Sequence, residues 1–171
     1  DRKITLYDPG GDTAKVLDAM QIPYDAARNL SNLLETNEGV VVVGAGFSWQ
    51  TPANLATVLT DLARQGRRVI CLAPEAGQLA FPTTEEGVDR PASLTFRRAD
   101  VIGELDKRLD AHAWPPDGQI VRSAMTVVSR RGQVVLSVDD APAAWPWIEV
   151  AYKNGGRLTI CGLAIIEKWD S

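Results

Sequence analysis

The most continuous hydrophobic run in the chain is formed by four valines, Val40 to Val43, which stand between two glycines. A strand with no polar position has no side that suits water. This run therefore predicts a central parallel strand that is covered on both faces. Shorter apolar runs predict a first strand at Ile4–Tyr7 and a further buried strand at Val69–Leu72.

A helix is predicted after the first strand. Asp12 or Thr13 is suited to cap its N-terminus, and Pro23 ends the segment. The apolar positions at helical spacing predict a buried face made of Val16, Leu17 and Met20. A weaker strand is predicted at 24–30.

A second helix has sequence signals at both ends. Thr51 is a natural N-cap, Pro52 suits the first helical position, and Gly66 allows a left-handed stop. Asp61 and Arg64 are expected on the solvent side. The predicted core stripe, at i, i+3, i+4 and i+7, consists of Leu55, Val58, Leu59 and Leu62.

The second half of the chain does not continue the alternation of parallel strands and helices. Residues 75–93 are predicted to be a loop and 139–147 a connection rich in Pro and Trp. Further elements are predicted as a strand at 94–96, a helix at 100–109, an antiparallel hairpin of 124–129 with 133–138, and a last strand at 158–161. The whole pattern predicts a single α/β domain over residues 1–171, with an open, mostly parallel, doubly wound sheet in three α/β/α layers and an antiparallel hairpin in its second half. Because the chain begins with Asp1 and not Met, we expect the domain to be part of a larger protein.

Composition and charge narrow the classes of partner. The net charge is −4, which favours solubility and disfavours nucleic-acid binding, because nucleic acid needs a basic face. No apolar run approaches the roughly 20 residues that cross a bilayer, so no membrane partner is expected. Cys71 and Cys161 lie in apolar runs and are expected to be buried thiols; a disulfide between them requires that their strands be neighbours.

The loops after the predicted parallel strands are the candidate binding site. Ligands of open α/β sheets bind beyond the carboxyl ends of the strands, and glycines there let a ligand approach the backbone. The residues at these ends are Asp8, Gly10, Gly11, Asp12, Gly44, Gly46, Ser48 and Glu75. No phosphate-binding motif is present, and the carboxylates of Asp8, Asp12 and Glu75 would repel a phosphate. The alternative is that these residues only form turns and a helix cap.

No cofactor and no metal ion is expected. Asp139 and Asp140 could form a carboxylate pair, but adjacent carboxylates before Ala141 and Pro142 are typical of a solvated turn, and no calcium-loop pattern is present. Four of the five tryptophans, Trp49, Trp114, Trp145 and Trp147, could form a stacking platform, although core packing is expected for at least two of the tryptophans.

The segment from Val69 to Ala73, followed by Gln78, Leu79 and Ala80, resembles the class I glutamine amidotransferase-like fold, in which a strand runs into a nucleophile elbow. The chain is similar above all to the amidotransferase-like, flavodoxin-like domains that are appended to bacterial glycoside hydrolases, including those that trimerise some β-galactosidases. Two segments carry this similarity, Tyr7–Gly11 and Gly156–Leu163. The resemblance implies an accessory or oligomerisation domain, whose partners are other domains of a carbohydrate-active parent protein or other copies of itself.

The catalytic residues of that family are not found in their expected pattern. A strained elbow needs glycine on both sides of the nucleophile, whereas Ile70 and Ala73 occupy those places around Cys71. His112 is followed by Ala113 and Trp114 and not by the glutamate of the family's H-x-E motif. We therefore expect Cys71 to lie within its strand, buried and inert, and no catalytic residue is assigned. One alternative is a small-molecule binding module at the strand ends, for which the resemblance to domains of carbohydrate-active proteins implies a sugar-like ligand. The other is a diverged cysteine amidase or hydrolase that uses Cys71 or Ser48.

Overall fold

The computed structural model describes residues 3–84, 90–99, 101–102, 120–139 and 141–170. Its strands are β1 (Ile4–Tyr7), β2 (Asp25–Ala26), β3 (Val40–Val43), β4 (Arg68–Leu72), β5 (Gln78–Pro82), β6 (Ser93–Arg97), β7 (Met125–Arg130), β8 (Gln133–Val138), β9 (Trp147–Ala151) and β10 (Arg157–Cys161). Its helices are α1 (Asp12–Ala19), α2 (Leu30–Glu35) and α3 (Leu55–Arg64).

Seven strands form the main sheet, in the order β2-β1-β3-β4-β10-β9-β6. The first five are mutually parallel, and β9 is antiparallel to both of its neighbours. A smaller antiparallel sheet has the order β5-β8-β7 and contains the predicted hairpin. The predicted mostly parallel α/β fold is confirmed, and β3 lies at its centre between β1 and β4.

The two faces of the main sheet are covered very differently. We call the inner face the one to which Val41, Val43, Val69 and Cys71 belong, because all four are fully buried with α2, α3 and the small sheet in one core. The outer face carries the alternate positions Val40, Val42, Ile70 and Leu72, and the described helix that lies against it is the eight-residue α1. Helices therefore lie on both faces, but the outer layer is thin.

The C-terminal end of helix α3 lies where the sequence predicted it, but the N-terminal end does not. Leu55, Val58, Leu59 and Leu62 are buried as predicted. The helix ends at Arg64, and Gly66 (φ 96°) supplies the predicted left-handed stop. Thr51 does not cap it: the helix begins at Leu55, after a turn in which the Leu55 N–H donates to the Pro52 carbonyl. Arg64 is exposed as predicted, but Asp61 is only half exposed because it pairs with Arg64 at 3.1 Å.

Helix α1 is capped by a residue that lies upstream of the predicted caps. Gly11 is the N-cap and Asp12 the first helical residue, while the Asp8 carboxylate accepts a hydrogen bond from the Ala14 N–H at 2.8 Å. Val16 is buried as predicted and Leu17 is half-buried. Met20 is 53% exposed, contrary to prediction, because it follows the end of the helix at the margin of the outer face.

Three of the described elements, α2, β5 and β9, were not predicted from the sequence. Helix α2 has six residues and one buried side chain, Leu33, so no helical period can be recognised; Asn29 caps it by accepting from the Asn32 N–H. Strand β5 lies within the segment predicted to be a loop, β9 begins at the last residue of the predicted connection and continues where no element was predicted, and β2 is shorter than predicted. Both β5 and β9 alternate buried and more exposed positions, with Leu79 and Phe81 inward in one and Ile148 and Val150 inward in the other.

The two cysteines lie on neighbouring strands, which was the condition for a disulfide. The register between β4 and β10 pairs Cys71 with Ile160 and Leu72 with Cys161. Cys71 and Cys161 therefore point to opposite faces of the sheet, because side chains alternate along a strand. Both are free and buried.

Several predictions fall on residues outside the described ranges. They concern most of the helix at 100–109, the turn at 115–118, Trp114, His112 and Asp140. Trp49 is fully buried in the core, and Trp145 packs against that core with its ring 5.6 Å from Phe96, so core packing is confirmed for two tryptophans.

Replacing Leu59 by Ala should lower the free energy of unfolding by about 2–5 kcal/mol, because Leu59 is fully buried and the change leaves a cavity. Urea denaturation followed by circular dichroism measures the loss. Thr57→Ala in the exposed face of the same helix is the control and should change stability by less than about 0.5 kcal/mol. Equal losses in the two variants would contradict the assignment of the core.

Candidate functional site

The fold brings the predicted site residues to one edge of the sheet. Asp8, Gly10 and Gly11 follow β1, the glycines Gly44 and Gly46 follow β3, and Glu75 follows β4. These strands are parallel neighbours, so their carboxyl ends form one rim. Backbone hydrogen bonds join the loops: Gly44 N–H donates to the Tyr7 carbonyl, and Gly46 N–H donates to the Ala73 carbonyl.

Asp8 lies directly against Gly44 at this rim. A Cβ atom on Gly44 would collide with the Asp8 carboxylate, so only glycine allows the β1 and β3 loops to approach in this way. One carboxylate oxygen of Asp8 accepts from Ala14 N–H, and the other, Oδ1, is buried with no hydrogen-bond partner among the described residues. Asp8 therefore acts first as a structural cap for α1.

Thr13 fixes α1 to the loop after β3. Its side chain is 1% exposed, and its hydroxyl oxygen accepts a hydrogen bond from the Ala45 N–H at 2.9 Å. The sequence offered Thr13 only as a possible helix cap, and its actual bond spans 32 positions, which no local pattern reports.

Arg122 is the rim residue that sequence reasoning missed. Its guanidinium hydrogen-bonds to Glu75 through Nη2 and pairs with Glu167 at 3.0 Å through Nε. Gly46 faces this pair, because a Cβ there would lie 3.2 Å from both the guanidinium and the Glu75 carboxylate. A lone arginine far along the chain carries no sequence signal for this position.

The remaining polar groups of the rim also have partners. Lys15 donates to Asp12 at 2.9 Å and holds the pKa of that carboxyl below its usual value, with a smaller contribution from the charge of Arg122. The Ser48 hydroxyl accepts from the Gln50 N–H at 3.3 Å. The rim is thus a set of mutually paired charges, and the group left unpaired among those described here is Asp8 Oδ1.

The turn after β4 has the backbone strain of an elbow but not its nucleophile. Cys71 lies inside β4, fully buried, as predicted, and burial raises the pKa of its thiol well above the usual value. The residue with a left-handed backbone is Ala73, at φ 36°, a conformation that costs a non-glycine residue about 1–2 kcal/mol. The side chain at this strained position is a methyl group, which cannot act as a nucleophile.

The outer face carries a long apolar groove. Two adjoining cavities of about 460 Å³ each meet at Leu72 and Ile165. The strand half of this outer-face groove is lined chiefly by Val40, Ile70, Trp147, Thr159, Cys161 and Leu163, and the helix half by Ile4, Val16, Leu17, Met20, Ile166 and Trp169. Charged side chains also lie on its walls: Arg68, Glu149 and Arg157 in the strand half, and Lys168 in the helix half. The Trp147 indole N–H is buried without a partner in the described structure.

Within the described ranges, no helix is long and apolar enough to cross a membrane, and no group of three or more His, Cys, Asp or Glu side chains is arranged to hold a metal ion. Asp139 accepts from the Ala141 N–H at 3.2 Å, which is the turn that its sequence predicted.

Comparison of the chain with protein-family models, with curated proteins and with solved structures gives no significant match. The amidotransferase-like resemblance stays a prediction, and the functional argument depends on the geometry of the rim, the elbow and the groove.

Neither cysteine should react quickly with a disulfide reagent such as dithionitrobenzoate at neutral pH, because the thiolate is the reactive form and burial raises the pKa of both thiols. Both should react at once in guanidinium chloride, which is the control. Rapid modification of Cys71 in the folded chain would restore the cysteine-hydrolase alternative.

The free energy of unfolding should fall as the pH rises past the ordinary thiol pKa. The cause is again burial: the thiols of the unfolded chain ionise there, whereas the buried thiols of the folded chain do not.

Thr13→Val should lower the free energy of unfolding by about 1–3 kcal/mol, because it leaves the Ala45 N–H buried and unpaired. Thr5→Val is the matched control: Thr5 is equally buried, at 2% exposed, but its hydroxyl has no partner among the described residues. Chemical denaturation of both variants measures the difference, and a larger loss in Thr5→Val would contradict the hydrogen-bond assignment.

Proposed function

We propose that the chain is a non-catalytic accessory domain that assembles as a two-fold dimer through its outer-face groove. The observation that carries the proposal is the groove itself, since it lies over the central strands of a parallel sheet. Such strands are normally covered on both faces. Here Val40, Val42 and Ile70 are only half-buried.

Both halves of the groove present apolar side chains to a two-fold contact. Met20 is 53% exposed and Trp169 is 44% exposed, and both line the cavity of the helix half. The strand half is a second cavity, over Val40 and Ile70. In a two-fold contact each surface meets its own copy in the opposite direction, so the helix half of one chain faces the strand half of the other.

The charges at the two ends of the groove support the same arrangement. Arg68 lies at the start of β4, is exposed, and has no ion pair among the described residues. Asp170 directly follows Trp169 at the other end and is exposed. A two-fold axis near Leu72 and Ile165 brings Arg68 of each chain toward Asp170 of the other, so opposite charges meet at both ends.

The elbow supports the non-catalytic part of the proposal. An acyl-transfer nucleophile must be exposed and activated by a neighbouring base. Ala73 holds the strained position, and the Cys71 thiol two residues earlier is protonated and enclosed. The resemblance to accessory domains of carbohydrate-active proteins agrees with this role, and makes other domains of a parent protein the alternative occupant of the groove.

Sedimentation velocity of the isolated chain should show a concentration-dependent dimer, and Ile165→Asp should weaken it at least tenfold, because the charge would lie where the two cavities meet. Val128→Asp is the control, since Val128 is equally exposed (39% against 36%) but lies on β7, away from the groove.

A charge exchange tests the orientation. Arg68→Glu and Asp170→Arg should each weaken the dimer, and the double variant should restore most of the loss, because the pair is re-formed with its signs reversed. A chain that stays monomeric at every concentration would overturn self-association. A dimer indifferent to both Ile165→Asp and the charge changes would overturn the use of the groove.

A further inference from the structure

We propose that a second site, on the inner side of the sheet, binds a neutral polyhydroxylated molecule such as a small sugar or polyol. The site is a cavity of about 720 Å³ between the edge strand β2, its neighbour β1, helix α2 and the segment 36–38. It lies on the opposite face of the sheet from the groove, because Thr5 and Asp25 line it while Ile4 lines the groove. The inference is therefore independent of the proposed dimer.

The Thr5 hydroxyl is the observation that first points to a ligand. Thr5 is 2% exposed, lines the cavity, and its oxygen is buried with no hydrogen-bond partner among the described residues. A buried hydroxyl without a partner costs free energy, so such groups are normally satisfied by protein, water or ligand. Its neighbours on the adjoining strands are Asp25 and Val41, and Asp25 lines the same cavity.

The walls of the cavity are held in place by contacts that do not consume their outward-facing groups. Lys3 and Asp25 form an ion pair of 3.1 Å on one wall. Asn32 on the other wall accepts from the Arg28 N–H at 3.1 Å, which fixes its oxygen and leaves its amide N–H groups available. Arg67 reaches under the segment 36–38 and donates to the carbonyls of Thr36 and Glu38, so the third wall is anchored as well.

The mixture of charges determines the class of ligand. Lys3 and Arg28 are cations, while Asp25, Glu35 and Glu38 are carboxylates, and all five line the same space. An anion or a cation would meet like charges on some wall, which is unfavourable. A hydroxyl group can accept from Lys3, Arg28 or Asn32 and donate to the carboxylates, so a molecule with several hydroxyls satisfies both kinds of wall at once.

The volume is within the range of small-molecule sites, about 300–1,000 Å³. No aromatic side chain of the described residues lines the cavity, so a sugar ring would find no stacking surface there and binding depends on hydrogen bonds. We therefore expect weak affinity, with a dissociation constant on the order of 1 mM.

The test is a titration of the ¹⁵N-labelled chain with maltose, followed by amide chemical shifts. Maltose should shift the amides of Ala27, Asn32 and Thr36 in a saturable way and leave those of β10 unchanged. Thr5→Val should weaken this binding at least tenfold, while Thr5→Ser, which keeps the hydroxyl, should retain it. Thr95→Val, the same exchange at an exposed position of β6, is the control and should bind as the original chain does.

Inorganic phosphate and glycine are the competing probes, one anionic and one zwitterionic. Neither should displace maltose. The proposal is overturned if maltose causes no saturable shift, if Thr5→Val binds it as well as the original chain, or if phosphate or glycine occupies the same amides more tightly. If the Thr5→Val chain does not fold, its NMR spectrum shows this, and the Thr5→Ser and Asn32→Asp variants then decide the outcome. Asn32→Asp removes the two amide N–H donors but keeps an oxygen that accepts from the Arg28 N–H.

Discussion

The structure depends on the burial of β3. Four valines in one strand give the sheet two apolar faces at its centre, and the rest of the chain must cover both. The inner face is covered by α2, α3 and the small sheet, and Val41 and Val43 are fully buried there. The outer face receives α1 and the segment 163–169, which leaves Val40 and Val42 half-buried. The unequal covering of one strand is the physical origin of the groove.

Backbone geometry explains why the rim, although it contains the predicted residues, does not resemble an open binding site. The approach of Asp8 to Gly44 and the bond from Ala45 N–H to Thr13 draw the first two loops together. Arg122 then joins the third loop to the segment 163–169 through Glu75 and Glu167. The charged groups that would attract a ligand are paired with one another and hold the loops together, so they stabilise the fold and are not available to a ligand.

The sequence predicted the elements whose hydrophobic period is strong. The valines of β3 and the leucine stripe of α3 carry enough apolar positions to identify these elements. The buried stripe of α3 and the central place of β3 are confirmed, whereas the predicted covering of β3 on both faces is complete only on the inner face. Helix α2 and strand β2 are too short to show a period, and the N-terminus of α3 is set by a turn at Pro52 instead of a side-chain cap. Cys71 could be placed in its strand because Ile70 disfavours an elbow there. The left-handed backbone of Ala73 could not be predicted, since alanine carries no preference for it.

The chemistry of the three surfaces follows from where each lies in the sheet. At the centre of the outer face the uncovered positions are β-branched or aliphatic, so the surface is apolar and suits a protein partner. At the β1–β2 edge the strand is only two residues long and α2 has one buried side chain, so polar groups line the gap that remains. A short edge element cannot bury hydrophobic side chains on both of its sides, and a cavity formed beside it must be polar. The same shortage of covering elements thus produces an apolar surface over the central strands and a polar cavity at the edge, two surfaces that differ in the class of molecule they can hold.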